Sequence, residues 1–259
     1  MRIALGIEYD GTHFLGWQSQ TNRQGVQDSL ETCIGKISGL SMRVHAAGRT
    51  DTGVHATMQV VHFDTDVERP ITAWVRGVNA FLPKSVRVLW AKAVSDAFHA
   101  RFSASTRHYQ YLLVNQAVAP AILADKAGWY HMPLNTNAMI EAIGYLQGEH
   151  DFSAFRASEC QASSPIRHLK TAFIETRDEK IVFHFSANAF LQHQVRNMVG
   201  ALIYVGNNKY QPSMIKTLLA EKNRKLSPPT FSPNGLYLVG VDYADDFALP
   251  LTKRPITAF

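Results

Sequence analysis

The segment from Ala46 to Ala56 carries the most distinctive chemistry in the sequence. It reads Ala-Ala-Gly-Arg-Thr-Asp-Thr-Gly-Val-His-Ala, so one carboxylate, Asp51, stands among two glycines and two hydroxyls, with Arg49 two residues before it and His55 four residues after it. Glycine reaches backbone angles that other residues adopt only at a cost, and a carboxylate on a tight turn can project as a nucleophile or an acid–base group. An aspartate can equally serve only to cap such a turn with its own side chain.

Asp51-Thr52-Gly53 also spells the D-T-G of aspartic proteases. Those enzymes need two carboxylates that share a proton. The chain has one such tripeptide, and the residues before Asp51 are Arg49 and Thr50 rather than an apolar pair. A dimer could supply the second carboxylate, but a positive charge two residues away works against a shared proton. The sequence therefore argues against a protease.

Two other segments contain arginines in informative surroundings. Residues 101–111 interleave basic, hydroxyl and aromatic side chains, a pattern that suits phosphate contacts and base stacking. An edge strand that packs Tyr109 and Tyr111 on one face would look the same. Arg196 falls at the border of the apolar stripe of a predicted helix, where it could extend past the core to solvent or pair bidentately with a buried carboxylate.

Composition narrows the function classes. The 259 residues suffice for one or two domains, and no apolar run approaches the ~20 residues of a membrane span, so we expect a soluble, cytoplasmic protein. The net charge of +5 fits a nucleic-acid-binding protein and many other basic enzymes alike. The two cysteines form no C-x-x-C pair, and no phosphate-binding glycine motif or metal-ligand spacing of histidines occurs. The sequence thus predicts no metal and no cofactor.

Hydrophobic periodicity predicts an α+β fold with two similar βαββαβ-like units. In the first half, the predicted strands are 2–9, 42–47, 58–64 and 86–94. One predicted helix carries Val26 to Ile37, and another begins at Pro70. In the second half, the predicted strands are 109–114, 168–176, 181–186 and 236–241. One predicted helix begins near Asn135, a second carries Leu191 to Leu202, and a third begins at Pro212. The expected domains are residues 1–104 and 105–259, with their antiparallel sheets joined and an irregular tail beyond Asp245.

Six motifs together resemble the TruA family of bacterial tRNA pseudouridine synthases. They occur in that family's order and spacing, and the resemblance runs from Ile3 to Tyr243. The motifs are AGRTDTGVH at 47–55, FHARFSA at 98–104, RHYQY at 107–111, FSAF at 152–155, HQVRNMVG at 193–200 and GLYL at 235–238. The resemblance implies isomerisation of uridines 38, 39 and 40 in the tRNA anticodon stem-loop. It also implies a homodimer with a central basic cleft and no metal or organic cofactor.

The same resemblance implies roles for individual residues. Asp51 matches the catalytic aspartate, and Arg196 matches the basic residue paired with it. Tyr109 matches the tyrosine that stacks on the target uracil, Arg49 the arginine that helps to expel the target nucleotide, and Leu236 an apolar wall of the pocket. Further candidates for contact with the RNA flank the motif residues; they are Arg101, Arg107 and Arg156.

The chemistry of the reaction agrees with these roles. Isomerisation breaks the N1 glycosidic bond, turns the uracil and rejoins it through C5, without a redox step, energy input or metal. Asp51 could attack the ribose C1′, add to uracil C6, or abstract a proton to leave a glycal, and the sequence does not separate these routes. The alternative is an RNA-binding module of the same fold that has lost catalysis. The intact set of Asp51, Tyr109 and Arg196 favours the enzyme, because binding alone needs no nucleophile.

Overall fold

The computed structural model describes residues 1–256 and has a mixed α/β fold. The chain divides into two compact units, residues 1–107 together with the chain from Tyr237 onward, and residues 108–236. The predicted domains, 1–104 and 105–259, place the division three residues earlier and assign the last strand to the second half. In the predicted irregular tail, Lys253 forms a bridge with Gly240 of the last strand, and residues 257–259 lie outside the described chain.

The first unit is built on a twisted set of strands with helices between them. Its elements are β1 (Arg2–Tyr9), α1 (Val26–Ser38), β2 (His45–Ala46), β3 (His55–Asp64), a π-helical segment (Ala73–Gly77), α2 (Val78–Phe81), β4 (Val86–Val94) and β10 (Leu236–Asp242). The strand order is β4-β1-β3-β10. β1 is antiparallel to both of its neighbours, β2 is antiparallel to β3, and β10 runs parallel to β3.

β1 is buried on both faces, which explains its composition. Both faces of β1 carry fully buried residues, with Ile3, Leu5 and Ile7 on one face and Ala4 on the other. A strand covered on both faces needs apolar or small residues at consecutive positions rather than strict alternation. Ile3 lies opposite Phe63, and Leu5 lies opposite Val61, so the register joins the apolar residues of β1 to those of β3.

The second unit contains β5 (Thr106–Asn115), β6 (Gly128–Tyr130), α3 (Thr136–Gly144), β7 (Gly148–Asp151), β8 (Ile166–Arg177), β9 (Lys180–Ala187), α4 (Gln194–Gly206) and α5 (Met214–Glu221). Single-turn 3-10 helices occur at Ser153–Phe155, Arg224–Leu226 and, in the first unit, Asp245–Phe247. The strand order is β5-β9-β8-β7, with β6 parallel to β5. Asn135 caps α3 as predicted, because its Oδ1 accepts a hydrogen bond from the Ala138 N–H at 3.1 Å.

Two predicted elements begin later in the chain than expected, and side-chain hydrogen bonds explain why. Only His45–Ala46 of the predicted strand 42–47 is extended in a ladder. The backbone of Val44 instead bonds to α1, with its N–H donating to Glu31 Oε1 and its carbonyl accepting from Gln27 Nε2. The helix predicted from Leu191 begins at Gln194, whose Oε1 accepts the Leu191 N–H at 2.8 Å.

Candidate active site

Asp51 lies on a turn between β2 and β3, which we call the Asp51 turn (Gly48–Val54). The Val54 N–H donates to the Asp51 carbonyl at 3.1 Å and closes the turn, and Gly53 has a φ of +77°. A type II turn requires this left-handed conformation at its third position, and glycine adopts it without strain. The Asp51 side chain is half-buried, whereas its neighbours Arg49 and Thr52 are exposed.

Buried groups of neighbouring elements fix the Asp51 turn by hydrogen bonds. The Thr50 carbonyl accepts from the Trp17 N–H at 2.9 Å, and the Thr50 hydroxyl bonds the Tyr9 hydroxyl at 2.8 Å. Gln59 of β3 donates from Nε2 to the Gly48 carbonyl at 2.6 Å. Burial raises the pKa of the Tyr9 phenol, so this hydroxyl stays protonated and available for the hydrogen bond. The backbone around Asp51 is therefore fixed before any substrate arrives.

His55, at the end of the turn, is fully buried and fixes the first loop of the chain against it. Its Nδ1 accepts the Gly11 N–H at 3.0 Å, and its ring stacks on Tyr237 of β10 at 4.7 Å between centroids. A Cβ at Gly11 would lie 2.0 Å from the Val54 carbonyl oxygen, so only glycine permits this approach. His55 thus supports the Asp51 turn from inside the first unit.

Arg107 connects the Asp51 turn to a second segment, which we call the 98–104 loop (Phe98–Ala104). Its Nη2 donates to the carbonyls of Arg101, at 2.6 Å, and Ala47, at 3.1 Å, and its Nη1 donates to the Ala104 carbonyl at 3.0 Å. The predicted site residues Arg101 and Arg107 therefore meet within the first unit, beside the residue that precedes the Asp51 turn. Arg101 itself is exposed.

Three histidines support the 98–104 loop. The rings of His62 and His99 lie 4.5 Å apart, and that of His45 lies 5.1 Å from His62. His62 Nδ1 accepts the Ala100 N–H, and His99 Nδ1 accepts the Arg101 N–H, both at 3.1 Å. Burial, followed by the charges of His99, Arg2 and His45, lowers the pKa of His62 to about 4. Burial also lowers the pKa of His99. Neutral rings are the form in which Nδ1 can accept these bonds.

The remaining predicted site residues lie in the second unit. Tyr109 of β5 is 8% exposed, and its ring meets Phe190 edge to face at 5.1 Å. Leu236 is 5% exposed and donates its N–H to the Pro233 carbonyl at 2.9 Å. Arg196, on the first turn of α4, is half-buried, and its Nε donates to the Phe231 carbonyl at 2.9 Å.

A buried hydrogen-bond network fixes the turn of α4 that carries Arg196. Asn197 Nδ2 donates to the Phe155 carbonyl at 2.7 Å, and its Oδ1 accepts from Thr230 Oγ1 at 2.7 Å and from Arg224 Nη2 at 3.1 Å. Burial lowers the pKa of Arg224. The motifs FSAF and HQVRNMVG thus meet through Asn197, and the network tethers the segment after α5 to Arg196.

Three supporting residues, Gln59, His62 and Asn197, are not predicted from the sequence. Gln59 and Asn197 bond to backbone carbonyls far away in the chain, and nothing in their local pattern indicates this. His62 also looked like an ordinary strand residue. Arg156 was a candidate for contact with RNA, but its Nη2 donates to the carbonyls of Cys160 and Ala162.

Two general properties of the described chain bear on the site. None of the helices in residues 1–256 is long and apolar enough to cross a membrane. Across the same residues, no three His, Cys, Asp or Glu side chains are grouped so that they could hold a metal ion, and this includes the three histidines beside the 98–104 loop.

Comparison with known proteins gives a consistent result. A family model described as tRNA pseudouridine synthase matches residues 6–103 and 142–244. A protein named tRNA pseudouridine synthase A from Methylobacillus flagellatus is 60% identical over 99% of this chain and 98% of that protein. Proteins of the same name from Chromobacterium violaceum and Dechloromonas aromatica are 57% and 54% identical, each over 96% of this chain and at least 95% of their own length.

Proposed function

The chain belongs to the tRNA pseudouridine synthase family, and we propose that it isomerises uridines 38, 39 and 40 of the tRNA anticodon stem-loop with Asp51 as nucleophile. Family membership confirms the prediction of an enzyme, an isomerase that forms pseudouridine in tRNA. The positions in the tRNA and the residue roles are the part that we propose.

The observation that carries the proposal is the Asp51 turn. Its backbone is held by Trp17, Gln59 and the Tyr9–Thr50 hydroxyl pair, while the Asp51 carboxylate stays half-exposed. A turn whose frame is buried and whose carboxylate reaches the surface is suited to preorganised catalysis, because little reorganisation is needed at the moment of reaction. A carboxylate that only capped its turn would need no such frame.

The other roles follow from the chemistry of the step. The target base must leave its stack, which costs a few kcal/mol, so an aromatic platform (Tyr109), an inserted cation (Arg49) and an apolar wall (Leu236) each have a task. Arg196 would serve as the basic residue paired with Asp51. Attack at C1′ and addition at C6 would use Asp51 as a nucleophile, whereas formation of a glycal would use it as a base.

Exposed cations would bind the phosphate backbone of the tRNA. Arg101 is exposed and suited to contact a phosphate. Arg107 has less freedom to do so, because its guanidinium is already bonded to three carbonyls, and its contribution to binding would come chiefly through the position of Arg101. We also propose that a basic cleft binds the RNA, that the enzyme is a cytoplasmic homodimer, and that it uses neither metal nor cofactor.

The test uses purified protein and an unmodified tRNA with uridine at positions 38, 39 and 40. Pseudouridine should be found at these positions and at no other. A matched tRNA in which cytidine replaces all three uridines, with compensating changes in the stem, should yield none. Pseudouridine elsewhere in the second tRNA would contradict the proposed positions, and none in either tRNA would contradict the activity.

A further inference from the structure

Phe102 is the most exposed aromatic residue among the large apolar side chains of the described chain. It is 76% exposed, whereas Phe98, four residues earlier in the same loop, is fully buried. A single exposed apolar side chain needs no explanation by itself. The surroundings of Phe102 are what make it informative.

The 98–104 loop is tightly held, so the exposure of Phe102 is imposed by the fold. The N–H groups of Arg101 and Phe102 both donate to His99 Nδ1, at 3.1 and 3.3 Å, and the Ala100 carbonyl accepts from the Tyr243 hydroxyl at 2.7 Å. Arg2 Nη1 donates to the Phe98 carbonyl at 2.7 Å, which anchors the start of the loop. The loop is thus fixed at its start, middle and end, since Arg107 binds Ala104.

The ring of Phe102 also has a particular set of neighbours. The His99 ring lies 4.3 Å from it at an interplanar angle of 32°, and the Arg101 guanidinium lies 5.6 Å from its centroid. An aromatic ring supported by another ring and accompanied by a cation is the arrangement that binds unpaired bases beside their phosphates. Stacking on such a ring tolerates any base, because every base has a π-face.

We propose that Phe102, backed by His99 and accompanied by Arg101, is a stacking site for an unpaired base of the bound tRNA other than the target uridine. The proposal rests on the proposed function for the identity of the RNA. It gives the first unit a contact with the base itself in addition to contacts with phosphates. Such a contact would help to hold the loop strand of the RNA while the target uridine is turned out.

The chain offers a matched control in the second unit. Phe173 is 44% exposed and stacks on His184 at 4.2 Å, so it resembles Phe102 in ring type and support. Its charged neighbour is Glu175, which lies 3.1 Å from His184 Nε2. A carboxylate repels the phosphates of RNA, so Phe173 should not bind RNA although its aromatic pair is similar.

The experiment measures the affinity of wild type, Phe102→Ala, Phe102→Tyr and Phe173→Ala for an anticodon stem-loop RNA and for a fully paired duplex of its stem. Stacking of one base is worth about 1–3 kcal/mol, which corresponds to about 5- to 150-fold in affinity. Phe102→Ala should lose about this factor for the stem-loop and little for the duplex. Phe102→Tyr and Phe173→Ala should bind both RNAs like wild type.

The opposite results would overturn the proposal. Equal affinity of Phe102→Ala and wild type for the stem-loop would mean that the ring does not stack on a base, and an equal loss for the duplex would mean that it does not require an unpaired one. A change in sedimentation of Phe102→Ala without loss of RNA affinity would assign the ring to a protein interface instead. Pseudouridine formation by wild type is scored separately, so failure of the proposed function would be recognised independently.

Discussion

The Asp51 turn and the 98–104 loop belong to the same unit and are both held by buried groups, but they present different chemistry. The Asp51 turn brings one carboxylate to the surface, whereas the 98–104 loop exposes a cation and an aromatic ring. Arg107 bonds to the Arg101 carbonyl in the 98–104 loop and to the carbonyl of Ala47, the residue that precedes the Asp51 turn. The first unit therefore keeps the Asp51 carboxylate and the exposed side chains of Arg101 and Phe102 in a fixed relation.

This difference has a consequence for mutagenesis. One group on the Asp51 turn would carry the covalent chemistry, so its loss should be close to total. The 98–104 loop would contribute through contacts that add to many others along the RNA, so each loss there should be moderate. The variants below separate the two kinds of effect.

The largest effect is expected from Asp51→Asn. The amide keeps the size of the side chain but cannot act as a nucleophile, so pseudouridine formation should be abolished, while tRNA affinity, which comes chiefly from phosphates, should be retained. Single-turnover assays and affinity measurements on the same preparation check this. Asp66→Asn, which removes an exposed carboxylate elsewhere in the unit, should form product normally. Appreciable product from Asp51→Asn would remove the aspartate from the chemistry.

His62, which supports the 98–104 loop, predicts a pH effect on stability. The folded-state pKa of His62, about 4, lies below the ordinary value of 6.5, so the unfolded chain takes up the proton first as the pH falls. The stabilisation of the fold by the neutral His62 ring is fully present above pH 6.5. It decreases towards pH 4, by about 3 kcal/mol in the free energy of unfolding. Chemical denaturation at a series of pH values measures the slope. His62→Gln, whose amide oxygen can still accept the Ala100 N–H, should have a flatter one, and an unchanged slope would refute the assignment.

Arg49→Ala should affect turnover more than binding. Extrusion of a base costs a few kcal/mol, and an inserted cation lowers that cost only as the base leaves, so the single-turnover rate should fall roughly 30-fold with little change in affinity. Arg43→Ala, which removes another exposed arginine six residues earlier, serves as the control. Normal turnover together with a reduced dependence of affinity on salt would make Arg49 a phosphate contact only.

Arg101→Ala should give the smallest effect, spread over all tRNAs. A phosphate contact contributes a slope of about −0.7 to −0.9 to the plot of log affinity against log salt, so the variant should have a slope flatter by about one unit. Arg177→Ala, at the β8–β9 hairpin, should leave the slope as in wild type. A loss confined to one tRNA species would indicate base readout rather than a phosphate contact.

The regular elements could be predicted because their residues face one environment along their length. β1 and β4 end where the apolar pattern ends, at Tyr9 and Val94, and the Asn135 cap is visible in the sequence. β7, which reads Gly-Glu-His-Asp, has no apolar alternation and was not predicted. It forms because β8 offers it an antiparallel partner, and pairing of this kind does not depend on local pattern.

The residues of the candidate site likewise separate into those with a local sequence signal and those without one. Asp51, Arg49 and Gly53 could be proposed from the sequence because they are adjacent in a recognisable motif, and the predicted family is confirmed. Trp17 had no evident role in the sequence, yet it is buried beneath the Asp51 turn and donates to Thr50. Such supports come from distant parts of the chain, and their partners are carbonyl groups, which every residue has. Only the folded structure identifies them.

The central claim, that the chain isomerises uridine in tRNA, can be tested by the fate of the hydrogen on uracil C5. Forming the bond from C5 to C1′ must displace that hydrogen, so tRNA labelled with tritium at C5 of its uridines should release one tritium to solvent for each pseudouridine formed. Wild-type protein should show this ratio without added metal or cofactor. Pseudouridine formation without stoichiometric release, or no release at all from a tRNA that the protein binds, would contradict the account.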